Sequence, residues 1–391
     1  MTITKYGGIY DCVDFYKQPA FDHPLMKNHT FHPQVRFLIV YLFHICFYHK
    51  SDRPLCFSFN SKCYSNFFFF FFFFCLLLVE VQMRPSYSQE RIKASSSNEK
   101  TIKCRFRKLQ GGGCPTGTVP IKRVNKDDRN QIKSSTKDYL WRRNPNSIQP
   151  EHGHHVNFFV IRIKSVDFSF WNLCINFAIV QTNSDPSTTK CYGATGIFND
   201  YRLSIRASQY SSGEMIFQNG NDMIKVGWTA GQYNCFNTLC PGFVSTNKDI
   251  PIDSELVPSS KRGGIQRSIS LFVYQDVENK NWWLELCGIV VGFWPHQIFT
   301  AMQDAATYVA VGGEAYGPPG QPLPPMGNGY YPSEELVLTA YCRNFTILDA
   351  NRQYINPQQI ERFAPEWRFG VYNMGIYKNR GRTICYGGTT L

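Results

Sequence analysis

The stretch NWWLELCGIVVGFW, residues 281–294, decides the fold class. Trp282, Leu284 and Leu286 fall on one face of an extended chain, while Trp283, Glu285 and Cys287 fall on the other, which is the two-residue period of a strand. FAIVQT (177–182), GIFND (196–200), SISLFVYQD (268–276) and ELVLTAYCRNFTIL (335–348) share its richness in β-branched and aromatic residues, and turn-forming clusters separate them. Only IFTAMQDAATYVAVG (298–312) carries a helical pattern, short and amphipathic. Many strands and one helix predict an all-β fold, an antiparallel β-sandwich whose core begins at about residue 177, with Trp282, Trp283 and Trp294 inside it.

The composition removes several function classes. With 43% apolar and 18% charged residues in 391, the chain is not a largely disordered one. The net charge of +12 resides in the front of the chain: residues 1–176 sum to +13 and residues 177–391 to −1. A nucleic-acid partner for the sandwich is therefore not expected, because it has no cationic surplus. The apolar run from Phe67 to Val79, with eight consecutive Phe at 67–74, is 13 residues long and short of the roughly 20 a membrane helix needs, so no span is expected.

Fourteen cysteines without a single CxxC pair argue against zinc and for disulfides in an oxidising compartment, with Cys235–Cys240 and Cys342–Cys385 as candidate bridges. The front of the chain, 1–155, reads as a separate irregular region, and 156–391 as the main domain. Within these, the apolar segments 35–81 and 156–176 read as insertions, residues 93–100 as an exposed linker, and 127–140 as a short helix. The opening MTITKYGGIYDC lacks the apolar core of a secretion signal.

The usual catalytic signatures GxSxG, HExxH and the phosphate-binding glycine loop are missing, and no cofactor motif takes their place. His152, His154 and His155 lie in EHGHH without a carboxylate or cysteine at ligand spacing, so no metal is expected. Paired carboxylates remain the most plausible catalytic device, and Glu314, directly after Gly312-Gly313, stands where backbone can approach closely and a side chain can enter a cleft.

Several blocks in fixed order give the chain a family likeness. CPTGTVPIKR (114–123), KVGW (225–228), CFNTLCPGFV (235–244), NWWL (281–284), VGFWP (291–295), VGGE (311–314) and PPMGNGYYP (324–332) resemble the neprosin family. The first block, with YDCVDFYKQPAFDHPL (10–25), resembles that family's activation peptide, and the later ones its catalytic domain. The resemblance implies a secreted glutamic endopeptidase with a β-sandwich fold and preference for proline, acting through two glutamates on a peptide or protein substrate.

One of those glutamates matches Glu314. The other belongs three residues before the Trp of MIKVGW, where this chain has Lys225. An ammonium there is expected to hold Glu314 ionised as an ion-pair partner, which predicts weak or no activity, or a binding role on the same sandwich. Of the nearby carboxylates, Glu214 and Asp222 are conceivable substitutes, Asp222 a poor one because a three-residue offset along a strand reverses the face. The chain between Trp228 and Cys235 is also shorter than in the family, which predicts an open sheet edge beside the MIKVGW strand.

Overall fold

In the computed structural model the alternating stretches form strands. The structure describes residues 2–3, 9–26, 35–38, 78–81, 85, 109, 112–123, 156–164, 175–182, 190–206, 209–231, 237–239, 241–318, 320–377 and 380–388. The suggested linker, the 127–140 helix, the histidine cluster and the Cys235–Cys240 pair lie outside them. By contacts the chain divides into two units, one of residues 1–30 with 85–391 and one of residues 31–84. In the second unit, Val35–Leu38 pairs antiparallel with Leu78–Val81.

Among the described residues of the first unit, the two large sheets hold 15 strands: β1 Val156–Lys164, β2 Ile175–Thr182, β3 Gly193–Asn199, β4 Tyr210–Asn219, β5 Asp222–Ala230, β6 Val244–Ser245, β7 Ser268–Gln275, β8 Trp282–Leu286, β9 Ile289–Trp294, β10 Tyr308–Tyr316, β11 Ala340–Leu348, β12 Tyr354–Ile355, β13 Ile360–Phe363, β14 Phe369–Tyr377 and β15 Gly381–Gly388. One sheet has the order β13-β2-β10-β4-β5-β1. The other runs β6-β9-β8-β7-β3-β11-β15-β14, with β12 beside β11, and every pairing in both is antiparallel. The fold is an all-β sandwich.

Side chains of alternate strand positions fill the space between the sheets. Phe217 of β4 meets Trp282 of β8 with ring centroids 5.8 Å apart. Trp228, Trp282, Trp283 and Trp294 are all fully buried. Trp283, on the opposite face of β8, is buried too, against Phe293 at 4.5 Å. Both faces of that strand are therefore covered, although the alternation alone would leave one face to water.

Three expectations change here. Residues 298–312 form no helix: a single 3₁₀ turn (His296–Ile298) leads into turns, and β10 begins at Tyr308. The Asp222 carboxylate fixes those turns by accepting the backbone amides of Thr300, Ala301 and Met302, and the Val-Ala-Val that follows is buried on both faces as a strand. Cys342 and Cys385 are free thiols, because the register pairs Cys342 with Ile384 and Tyr341 with Cys385, which turns the two sulfurs to opposite faces. The edge of β5 is not open, since β1 pairs with it along its whole length from Asp222–Lys164 to Ala230–Val156.

The N-terminal region carries a small antiparallel sheet of its own. Ile9–Asp14 lies between Thr2–Ile3 and Thr118–Lys122, and Cys12 is bridged to Cys114. It docks on the sandwich through Gln18, whose amide nitrogen donates to the Ser245 carbonyl (3.1 Å) and whose amide oxygen accepts from the Ser245 N–H (2.8 Å). A buried side-chain amide thus acts as a one-residue extension of the sheet, satisfying the edge strand β6. Tyr10 adds a hydroxyl bond to the Asp253 carbonyl (3.3 Å).

Candidate active site

The candidate site lies on the face of the six-stranded sheet turned away from the second sheet. The faces are fixed by Gly213: a Cβ there would meet the Tyr386 hydroxyl of β15 and the Trp228 indole of β5, so Gly213 and Trp228 look into the sandwich interior. Their neighbours in sequence look out. Glu214 pairs across with Gly227 on one side and Gly312 on the other, Lys225 pairs with Ile216, and Glu314 with Ser212 and Phe177. Glu214, Lys225 and Glu314 therefore share one face of three adjacent strands.

The two glycines flanking Glu214 are required by backbone contact. A Cβ on Gly227 would lie 2.1 Å from the Gly213 carbonyl oxygen, and one on Gly312, at φ +151°, would lie 2.2 Å from that of Ala178. With no side chains in those positions, the Glu214 carboxyl has room to reach the diagonal neighbours Lys225 and Glu314.

All three groups are out of water, with exposures of 1% for Glu214, 2% for Glu314 and 7% for Lys225. Glu314 accepts from the Tyr210 hydroxyl through Oε1 and from the Lys225 ammonium through Oε2. Glu214 Oε2 accepts from the Ser212 hydroxyl at 2.9 Å, and Lys225 Nζ is 3.5 Å from Glu214 Oε1, so the ammonium stands between the two carboxyls. The ammonium also stands 5.5 Å from the centre of the Phe177 ring.

This arrangement splits two chemically identical groups. Burial, reinforced by the charge of Glu314, pushes the Glu214 carboxyl up to about 8. Burial pushes Glu314 the same way, but the touching Lys225 ammonium and the hydrogen bonds from Glu214, Lys225 and Tyr210 outweigh it and hold Glu314 below its ordinary range. For Lys225 burial lowers the basicity, yet the flanking Glu214 and Glu314 outweigh it and raise it, so the ammonium stays charged. The surroundings thus set the two carboxyls apart, Glu214 toward its protonated form and Glu314 toward its ionised one. One carboxyl is ready to give a proton and the other to take one, the division of labour that general acid–base hydrolysis needs.

Of the residues singled out from sequence, Glu314 and Lys225 come together as an ion pair. Glu214, one of the two conceivable substitutes, lies on the same face, with Oε1 3.5 Å from Lys225 Nζ. Asp222 faces the other way and is spent on the turns after Phe299. Tyr330 and Tyr331 are about half exposed. Among the described residues no cluster of His, Cys, Asp and Glu could hold a metal ion, and no helix is long and apolar enough to cross a membrane. The sequence matches two family models: Neprosin over residues 203–389, and Neprosin activation peptide over residues 2–42.

Proposed function

Since the chain belongs to the neprosin family of glutamic peptidases, we propose that its buried carboxyl pair hydrolyses peptide bonds next to proline, weakly, in an acidic extracellular setting. The observation that carries this reading is the Glu214–Lys225–Glu314 cluster. Glu314, ionised, accepts a proton from the water whose oxygen attacks the scissile carbonyl carbon. Glu214, protonated, gives its proton to the leaving nitrogen as the C–N bond breaks. The turnover is weak because Glu314 is a poor base: both of its oxygens are engaged, one by Tyr210 and the other by an ammonium.

Replacing Lys225 by Met tests the assignment. Without the cation the two carboxyls share a single proton, as like-charged carboxylates in contact must, and Glu314 becomes the stronger base. The value of kcat/KM for a proline-containing peptide at acid pH is expected to rise about tenfold, a barrier change of about 1.4 kcal/mol. An unchanged or lower value would show that Lys225 does not restrain the pair. The closed ion pair also favours a second reading, peptide binding without hydrolysis, for which neither the parent chain nor the Met variant turns substrate over while both bind it.

A further inference from the structure

The face that carries the carboxyl pair changes character toward one edge of its sheet. Phe177 of β2 is the cross-strand partner of Glu314, and Phe363 of β13 pairs with Ile179, which puts both phenyl rings on the face of the two glutamates. The rings lie 6.4 Å apart, tilted by 48°. Exposure is 2% at Glu314 and 41% at Phe363, with Phe177 partly buried. Ile179, the cross-strand partner of Phe363 on the same face, is buried. From the ionised carboxylate to solvent there is thus a continuous apolar wall, two aromatic rings and one isoleucine, on the edge strand β13 and its neighbour.

A phenyl ring left 41% exposed on an edge strand contributes little to the core, and by itself it would be unremarkable. Its contact with the partner ring beside Glu314 gives it a direction. A peptide whose scissile carbonyl reached Glu314 along this line would lay the adjoining side chain on the two rings. Charged side chains would lose hydration there without gaining a partner, and apolar ones would bury surface.

We propose that Phe177 and Phe363 select the substrate, holding an apolar side chain next to the scissile bond. This rests on the peptidase reading only for the identity of the occupant, a peptide. The test uses the full chain and two blocked peptides that differ at one residue beside the proposed cleavage point, leucine against aspartate, followed both by hydrolysis and by calorimetric titration. The parent chain is expected to bind the leucine peptide more tightly. Phe363→Ala is expected to weaken that binding about tenfold, with most of any loss of turnover in KM, and to narrow the gap between the two peptides. Phe363→Leu should restore most of it, and melting curves establish that both variants are folded. Equal binding of the leucine peptide by the parent chain and by folded Phe363→Ala, or no preference for leucine over aspartate in the parent, overturns the proposal. Should Glu314→Gln leave hydrolysis intact, the peptidase reading fails, and the titrations still decide the role of Phe363.

Discussion

Glu314→Ala is expected to destabilise the sandwich by about 3–5 kcal/mol, the usual cost of removing one partner from a buried ion pair. Lys225, nearly out of water, would lose the carboxylate it touches, and the Tyr210 hydroxyl would lose its bond to Glu314. Glu214→Gln should behave quite differently. A glutamine amide reproduces the neutral carboxyl that burial enforces at this position, with a donor to face Glu314 and an oxygen to accept from Ser212. Stability at neutral pH should then change by less than about 1 kcal/mol, within the range of a neutral hydrogen-bond exchange. Chemical denaturation of the two variants checks this. Comparable losses in both would mean that Glu214 is ionised in the folded chain and that the acid–base division drawn above is wrong.

The same carboxyl makes stability fall as pH rises from mildly acidic to mildly alkaline. Glu214 has a folded value of about 8, and Asp200, raised by burial to about 7, behaves alike. Both bind a proton in the folded chain that the unfolded chain has already released, so their stabilising contribution is complete below the ordinary carboxylate value near 4–5 and is lost as pH climbs through the folded values. Glu314 acts in the opposite sense: its folded value is depressed, and its contribution is lost only as pH drops below the ordinary carboxylate range. The stability maximum should accordingly lie in the mildly acidic range. Melting temperatures recorded from pH 4 to 9 should decline above about pH 5, by several degrees, and Glu214→Gln should flatten that decline. A profile that rises across this range, or a slope unchanged in the variant, would contradict the assignment.

The association of Glu214 with Lys225 was legible in one short turn. Asn219-Gly220-Asn221-Asp222 joins β4 to β5 through a two-residue loop, and that pairing of Asn219 with Asp222 sets Ile216 opposite Lys225 and Gly227 opposite Glu214. Glu214 and Lys225 must then share a face. Glu314 could not be brought to them by such counting, because β10 joins β4 across roughly a hundred residues, a long-range choice that local periodicity does not encode. Its helical reading failed for a related reason. Alanine, methionine and glutamine at 301–306 have good helix propensity, but the chain there is set in turns whose amides at Thr300, Ala301 and Met302 gather on Asp222, a residue distant in sequence. The sandwich itself was readable from tryptophan-rich alternation, although burial of both faces of β8 was not, since a two-sided strand needs knowledge of what lies on either side.

The Cys12–Cys114 bridge makes a closed covalent ring of the intervening chain, and Cys12 belongs to the activation-peptide match while Cys114 lies beyond it. Ring closure has a topological effect that no noncovalent contact shares. A single proteolytic cut anywhere from Val13 to Gly113 turns the ring into a branched chain, and the two pieces leave together or not at all. One nick in the ring would therefore leave both pieces joined under oxidising conditions, with only the water of hydrolysis added. The Ile9–Asp14 strand, with its Gln18 grip on the sheet edge, would remain held at near-intramolecular concentration. Release of the N-terminal piece calls for two events, a cut together with thiol exchange at Cys12, or cleavage on the far side of Cys114.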